Sequence, residues 1–151
     1  MSDDVVEREI DTNLLGLIRV SAALLPHLQK MGDATLMNVS SGLGFVPLAR
    51  FPVYCATKAA VHSFCLSIRH QLRGTGVQVI EIIPPYVATD LGRTHPTGGS
   101  GPAPMPLDEY IVALMEELAG GPEEAAVGTA KRVVAASSNE AVRTIFAGMN
   151  S

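Results

Sequence analysis

The sequence lacks the features that mark several classes of protein. Its 151 residues contain no tryptophan, aromatic residues make up 5%, and charged residues make up only 17%. Eleven lysines and arginines stand against 15 aspartates and glutamates, which gives a net charge of −4 without a basic cluster. The chain therefore has neither the basic patch nor the stacking aromatic residues that nucleic-acid binding uses. We predict no nucleic-acid partner.

Cysteine and long apolar runs are also scarce. The two cysteines, Cys55 and Cys65, fall in one predicted helix and would lie too far apart along it for a disulfide. No histidine pair at metal-binding spacing accompanies them, so we predict no metal site. Proline and charged residues interrupt every apolar run before it reaches the length of a membrane span. The first four residues include two aspartates, whereas a signal peptide begins with basic and then apolar residues. These observations predict a cytoplasmic protein with no membrane partner.

What the chain does have is a regular alternation of helical and strand patterns. Apolar residues make up 47%, which is enough to fold as one domain. The alternation favours a parallel sheet with helices packed on it. The first strand shows no clean alternation of polar and apolar residues, and we predict that it is buried on both faces. The predicted elements are a helix at 4–31 with a kink or break near Pro26, strands at 34–40, 77–83 and 125–129, helices at 52–73, 108–119 and 138–149, and a mobile loop at 92–106.

A glycine-rich phosphate loop is missing from this pattern. A doubly wound dinucleotide-binding sheet has two halves, and a G-x-G-x-x-G sequence follows its first strand. The first third of this chain contains no such glycine run, and only three strands are predicted. We therefore predict a single partial α/β domain over residues 1–151. It corresponds to the second half of a Rossmann-type doubly wound parallel sheet, without the first strands and the glycine-rich loop.

Tyr54 and Lys58 lie four residues apart near the start of a predicted helix, so their side chains share one face. A free tyrosine has a pKa near ~10 and is a poor base at neutral pH. A nearby ammonium group lowers the pKa of a phenol, which would allow Tyr54 to donate or accept a proton. The same spacing also fits a solvated helix face with a partly buried ring.

Two serines follow the first predicted strand. Ser40 and Ser41 stand where this strand opens into a glycine-containing loop, and ligands of parallel α/β sheets bind at the carboxyl ends of the strands. The helix that carries Tyr54 begins at the same edge of the sheet. A lone serine in this position is more often a turn-capping residue. The conjunction of these serines with Tyr54 and Lys58 is more informative than any one of them.

These motifs carry a resemblance to a known family. Asn-Val-Ser-Ser-Gly-Leu-Gly at 38–44 and Tyr-Cys-Ala-Thr-Lys at 54–58 resemble the active-site segment of the short-chain dehydrogenases/reductases. Asn13 resembles the helix asparagine of that family's catalytic tetrad. The segment Pro-Pro-Tyr-Val-Ala-Thr at 84–89 resembles the family's Pro-Gly-x-Val-x-Thr cofactor segment, with Pro85 in place of the glycine. The double proline and the tail from residue 105 to 150 resemble the DltE-like subgroup.

The resemblance implies a catalytic role for four residues. Tyr54 would be the general acid/base, and Lys58 would lower the pKa of Tyr54 and bind the nicotinamide ribose. Ser41 would hold the substrate oxygen. Asn13 would distort the long first helix and hold a water molecule in the proton relay.

The resemblance also implies a cofactor, NAD or NADP, that carries the hydride. Pro84 belongs to the cofactor segment, and the backbone of Val87 together with Thr89 would contact the nicotinamide carboxamide. Tyr54 and Lys58 would contact the cofactor as well. The implied function is NAD(P)-dependent hydride transfer with a small carbonyl or alcohol substrate, in a homo-oligomer formed through the first two long helices.

Other interpretations remain open at this stage. The missing glycine loop is compatible with a fragment or truncated product, with one half of a split enzyme, and with a non-catalytic structural or interaction module. A serine hydrolase that uses Ser41 with His62 or Lys58 is disfavoured, because the sequence has no G-x-S-x-G elbow and no acid placed to orient His62. We predict that all four histidines lie on the surface.

Overall fold

The computed structural model describes residues 2–91 and 103–137, together with residues 145, 148 and 149. Within them, helices and strands alternate as the sequence predicts. The elements are α1 (Asp3–Ile10), a π-helical segment (Asp11–Leu15), α2 (Gly16–Met31), β1 (Ala34–Val39), a 3-10 turn (Gly42–Gly44), α3 (Pro52–Gln71), β2 (Val77–Ile83), α4 (Leu107–Ala119), β3 (Glu124–Ala126) and α5 (Thr129–Ser137).

The strands form a parallel sheet in the order β1-β2-β3. Asn38 of β1 is in register with Glu81 of β2, which is in register with Glu124 of β3. Because strands that follow one another are joined by helices, their carboxyl ends all lie at one edge of the sheet. The predicted parallel α/β architecture is confirmed.

The main core lies between α3 and the first two strands. Ile68 and Leu72, one turn apart on α3, pack against Leu36 of β1 and against Val77 and Val79 of β2. Alternate residues of a strand share one face, and helix residues four apart share another, so these two periodicities meet in one apolar layer. This layer fixes α3, and the site residues that it carries, against the sheet.

The prediction that β1 is buried on both faces is wrong. Leu36 and Asn38 are buried, whereas Met37 and Val39 on the opposite face are exposed. β1 is the edge strand of the described sheet, and the described residues leave Met37 and Val39 about half exposed. The sequence of β1 lacks a clean alternation of polar and apolar residues, yet only one face of the strand is buried in the described structure.

The long first helix is distorted, but not where the proline predicted. Its hydrogen-bonding pattern changes at the π-helical segment Asp11–Leu15, which contains Asn13. Pro26 lies inside α2, and that helix continues past it to Met31. No helix of the described residues has both the length and the apolar character needed to cross a bilayer.

The end of the chain departs furthest from prediction. β3 covers Glu124–Ala126 rather than 125–129, and α5 at Thr129–Ser137 was not predicted. The predicted helix at 138–149 lies outside the described residues except at 145, 148 and 149. Most of the predicted loop at 92–106 also lies outside them, but Met105 at its end forms a parallel β-bridge with Val87. That part of the loop is therefore held to the segment after β2.

Candidate active site

The site is built at the carboxyl edge of the sheet, where β1 and β2 end. The amide of Gly42 donates to the carbonyl of Pro84 (3.3 Å), which ties the loop after β1 to the segment after β2. The Ser41 hydroxyl accepts a hydrogen bond from the amide of Leu43 (3.2 Å) and so caps the 3-10 turn. Ser41 is thereby held between the two strand ends.

Gly44 brings this loop directly against α3. A Cβ atom at Gly44 would lie 2.8 Å from the carbonyl carbon of Lys58 and 2.9 Å from its carbonyl oxygen. These are backbone atoms of a helix, which cannot move aside as a flexible side chain could. Only glycine allows this close approach, and the approach places the Ser41 loop beside the first turns of α3.

Tyr54 points from α3 towards this loop. Its side chain is hydrogen-bonded to that of Ser41. Burial raises the pKa of Tyr54 above its ordinary value, and the hydrogen bond from Ser41 opposes that rise only in part. The structure therefore brings together the two predicted residues that would handle the substrate oxygen.

Lys58 lies one helical turn after Tyr54, and its ammonium group is hydrogen-bonded to the end of β1. Its Nζ donates to the carbonyl oxygen of Val39 (3.0 Å) and lies 5.7 Å from the centroid of the Tyr54 ring. Burial lowers the pKa of Lys58 itself. Desolvation of the phenol is the dominant effect on Tyr54 and its pKa is raised, so the lowering of that pKa by Lys58 stays a prediction.

Asn13 is connected to the same helix through a residue that the sequence analysis missed. Its Nδ2 donates to the Thr57 hydroxyl (3.4 Å), which donates in turn to the carbonyl oxygen of Tyr54 (2.8 Å). Asn13 lies in the π-helical segment, so the expected distortion of the long helix at this residue is observed. The spacing of Thr57, three residues after Tyr54, was the signal that could have identified it.

The predicted cofactor segment runs beside this group. The amide of Met105 donates to the carbonyl of Tyr86 (2.8 Å), and the amide of Ala88 donates to the carbonyl of Met105 (2.9 Å). In a parallel bridge of this kind, the amide and carbonyl of the intervening residue, Val87, point away from the partner strand. Pro84 is partly buried, and Thr89 is exposed where the segment leads towards residues 92–102.

A group of polar side chains, Glu81 with Ser40 and His62, lies next to the candidate site. The Glu81 carboxylate is fully buried, accepts a hydrogen bond from the Ser40 hydroxyl, and lies 2.8 Å from Nδ1 of His62. The prediction that His62 is a surface residue without an orienting acid is wrong, because α3 turns its ring towards the sheet. His62 is bonded to Glu81 while Ser41 is bonded to Tyr54 and Leu43, so the serine–histidine contact of a hydrolase is not formed among the described residues.

The same group supplies atoms that could bind a metal. His62, Glu81 and Glu124 each offer one ligand atom, and these three atoms lie within 4.8 Å of one another. The contacts of Glu81 with Ser40 and His62 account for both of its oxygens without an ion. The expectation that the chain has no metal site stays a prediction.

Comparison with known proteins places this site in a family. The family model described as short chain dehydrogenase matches residues 1–98. An uncharacterized oxidoreductase, DltE, from Bacillus subtilis (strain 168) is 44% identical over 117 residues, which are 77% of this chain and 46% of that protein. A sulfoacetaldehyde reductase from Chromohalobacter salexigens is 40% identical over 109 residues, which are 72% of this chain and 43% of that protein.

A solved structure shows the same fold. A short-chain dehydrogenase from Sphingobium yanoikuyae in complex with NADPH superimposes with a TM-score of 0.80 at 23% identity, covering 97% of this chain and 58% of that one. The predicted α/β, Rossmann-type fold is confirmed, and the chain spans about half the length of the curated relatives it matches. Because the family model covers residues 1–98, which include Ser41, Tyr54 and Lys58, the chain belongs to the short chain dehydrogenase family.

Proposed function

We propose that this chain carries the catalytic half of an NAD(P)-dependent oxidoreductase that interconverts a small carbonyl compound and its alcohol. The observation that carries the proposal is the hydrogen bond between Tyr54 and Ser41 at the carboxyl edge of the sheet, with Lys58 one helical turn away. A proton donor beside a second hydroxyl, at the edge where parallel sheets bind ligands, is the arrangement that carbonyl reduction needs.

The direction of the Tyr54 pKa shift supports a role for Tyr54 as the proton donor in reduction. Because burial raises that pKa above its ordinary value, Tyr54 holds its proton at neutral pH, which is the form that reduction requires. The Ser41 hydroxyl donates to the substrate carbonyl oxygen, and Tyr54 transfers its proton to the same oxygen as the carbonyl carbon accepts hydride. The resulting tyrosinate then takes up a proton from solvent, and oxidation of the alcohol follows the same steps in reverse.

The nicotinamide cofactor, when bound, supplies or accepts the hydride. The residues present fit its nicotinamide end: the amide and carbonyl of Val87 face away from the Met105 bridge, and the Lys58 ammonium is available to a ribose hydroxyl. Pro84 and Thr89 frame the same segment. The solved relative with NADPH supports this cofactor class. The glycine-rich loop that holds the pyrophosphate is not among these 151 residues, so we expect them to bind the pyrophosphate end of the cofactor weakly.

The test is Tyr54→Phe, assayed by cofactor consumption with a panel of small aldehydes and ketones at millimolar cofactor concentration. This substitution keeps the ring and removes the transferable proton, so kcat should fall roughly a hundredfold or more. Tyr110→Phe is the matched control, because Tyr110 is also partly buried with a raised pKa but lies on α4. A Tyr54→Phe variant that keeps nearly normal kcat would disprove the assignment.

Cofactor titration separates this proposal from a non-catalytic module. The chain retains contacts to only one end of the dinucleotide, so we expect weak binding with no saturation at micromolar NADH or NADPH. Weak binding that Lys58→Ala abolishes supports the proposal. A complete lack of binding at millimolar cofactor favours the non-catalytic module instead.

We also propose that the chain forms a homo-oligomer through its first helices. An apolar groove runs between α1 and α3, and further large apolar side chains are exposed on α1 (Val5) and on α2 (Val20, Leu24 and Met31). An exposed apolar surface of this kind is typical of a contact between subunits. The groove is lined by Val6, Ile10, Leu14, Pro52, Val53, Ala56 and Thr57. Light scattering should give at least twice the chain mass of 15.9 kDa, and a monodisperse 15.9 kDa species would contradict the proposal.

A further inference from the structure

A row of polar side chains crosses the sheet beneath α3. Asn38, Glu81 and Glu124 are in register on three neighbouring strands, and partners in register share one face of a parallel sheet. Glu81 is at the centre of this row, on the middle strand, and its side chain is fully buried. A buried carboxylate is costly to desolvate, so its contacts identify what it does for the fold.

Both oxygens of the Glu81 carboxylate are bonded. Oε1 accepts the hydroxyl proton of Ser40, and Oε2 lies 2.8 Å from Nδ1 of His62. The His62 ring is itself held by Phe45, at 4.3 Å between ring centroids. His62 and Phe45 therefore fix the carboxylate from the helix side, while the carboxylate fixes Ser40 at the end of β1.

Ser40 precedes the serine of the candidate active site. The amide of Ser40 donates to the carbonyl of Ile82 (2.9 Å), and Ser41 has extended backbone angles, φ −169° and ψ 152°. Consecutive side chains of extended backbone point to opposite sides. A bond that directs the Ser40 hydroxyl towards Glu81 therefore directs the Ser41 side chain the other way, towards Tyr54.

From this geometry we propose that Glu81 is a positioning residue, which holds Ser40 and so fixes the direction in which Ser41 presents its hydroxyl to Tyr54. The two adjacent serines then have different tasks: the first attaches the strand end to the core, and the second meets the substrate oxygen. The functional meaning of this arrangement rests on the proposed oxidoreductase function, but the arrangement can be tested without turnover.

The experiment uses Tyr54 as a reporter of the Ser41 contact. Tyr86→Phe and Tyr110→Phe leave Tyr54 as the single tyrosine of a chain without tryptophan, so its ionisation can be followed by tyrosinate absorbance. In this background we compare Ser40→Ala and Glu81→Ala with Glu81→Gln. Because the Ser41 hydrogen bond lowers the Tyr54 pKa, the two alanine variants should shift the titration to higher pH. Glu81→Gln should retain the original titration, since its amide oxygen still accepts from Ser40.

Ser21→Ala is the matched control. It removes another buried hydroxyl, which lies on α2 and donates to Oδ1 of Asn38 (3.3 Å) at the β1 end of the polar row. The control should leave the Tyr54 titration in place even if it destabilises the chain. Circular dichroism at each pH confirms that the titrating species is folded.

A Ser40→Ala variant that titrates like its parent would overturn the proposal, and this variant decides the question even if Glu81→Ala fails to fold. An equal shift in Ser21→Ala would also overturn it, because the effect would then follow from lost stability. Where carbonyl reduction is measurable, Ser40→Ala should lower kcat with little change in KM. A shifted titration in a chain that binds no cofactor at millimolar concentration would support the positioning role and contradict the proposed function.

Discussion

Strands β1 and β2 pair with each other but have very different surroundings. β2 has a hydrogen-bonded strand on each side, and every residue of it except Gln78 is buried. β1 pairs on one side only, and Met37 and Val39 on its second face are 46% and 45% exposed. Parallel strands are normally covered on both faces. The difference shows that the described part of the chain completes the sheet around β2 and leaves it incomplete around β1.

The candidate site uses the covered side of both strands. Ser40 points from the end of β1 into the layer under α3, and Glu81 meets it there from β2. α3 supplies Tyr54 and Lys58 to the same edge. The candidate site therefore lies on the covered face of the sheet and makes no use of the exposed face of β1.

The largest expected effect tests this contrast directly. Ile80 of β2 and Met37 of β1 are partners in register, so they lie on the same face of the sheet, but Ile80 is only 3% exposed. Ile80→Ala should lower the free energy of unfolding by about 2–5 kcal/mol, because it removes buried methyl groups and leaves a cavity. Met37→Ala should cost less than about 1 kcal/mol, since that side chain is already half in water. Urea denaturation measures both.

An equal cost for the two variants would contradict the contrast. In that case the face that carries Met37 is covered in solution, and the cost of Met37→Ala should then depend on protein concentration if the cover is a second copy. A cost that stays small at all concentrations would place any oligomer contact elsewhere, in agreement with the groove between α1 and α3.

The next prediction concerns pH and the layer between α3 and β2. Cys65 is buried there, and desolvation, with a further contribution from the Glu81 charge, raises the pKa of its thiol from 9.0 to about 11. A raised pKa means that the folded state holds the proton more tightly, so this contribution to stability is complete below pH 9 and is lost as the pH rises through about 11. The total loss should be about 2–3 kcal/mol.

The measurement is urea denaturation of the parent and Cys65→Ala at several pH values between 8 and 11. The pKa values of Tyr54, Tyr110 and Lys58 are shifted as well, so the difference between the two proteins is what isolates the thiol. The parent should lose stability faster than the variant as the pH rises. Parallel curves would show that the Cys65 thiolate is accommodated at no cost and that this layer is open to water.

The same contrast explains what the sequence could predict. The apolar periodicities of α3 and β2 are local patterns, and the corresponding elements were predicted to within two residues. The exposure of Met37 depends on what packs on β1, which no local pattern contains. The register of Asn38, Glu81 and Glu124 is likewise a property of three strands that are far apart in the chain.

The candidate site divides in the same way. Ser41, Tyr54 and Lys58 could be found because their spacing places them at one edge of a parallel sheet. The bond between His62 and Glu81 could not, because it depends on how α3 is rotated about its axis against β2. A signal was nevertheless present in the sequence. The strand Val77–Ile83 is apolar except for Gln78 and Glu81, and Glu81 is its one charged residue. A charge in a central strand needs a buried partner.

The smallest expected effect comes from an ion pair outside these two strands. Lys131 of α5 contacts the carboxylate of Glu117 on α4, and the two side chains are 54% and 32% exposed. Lys131→Gln should change the free energy of unfolding by less than about 1 kcal/mol, because solvent screens an exposed pair and both long side chains lose freedom in forming it. The adjacent Ala130 is buried against Ile83 of β2, so Ala130→Leu should cost about 1–3 kcal/mol through overpacking. If Lys131→Gln instead costs as much as Ala130→Leu, then α5 is held by its charges rather than by its apolar contact with β2. The contrast in stability between buried and exposed side chains that separates β2 from β1 would then not apply to α5.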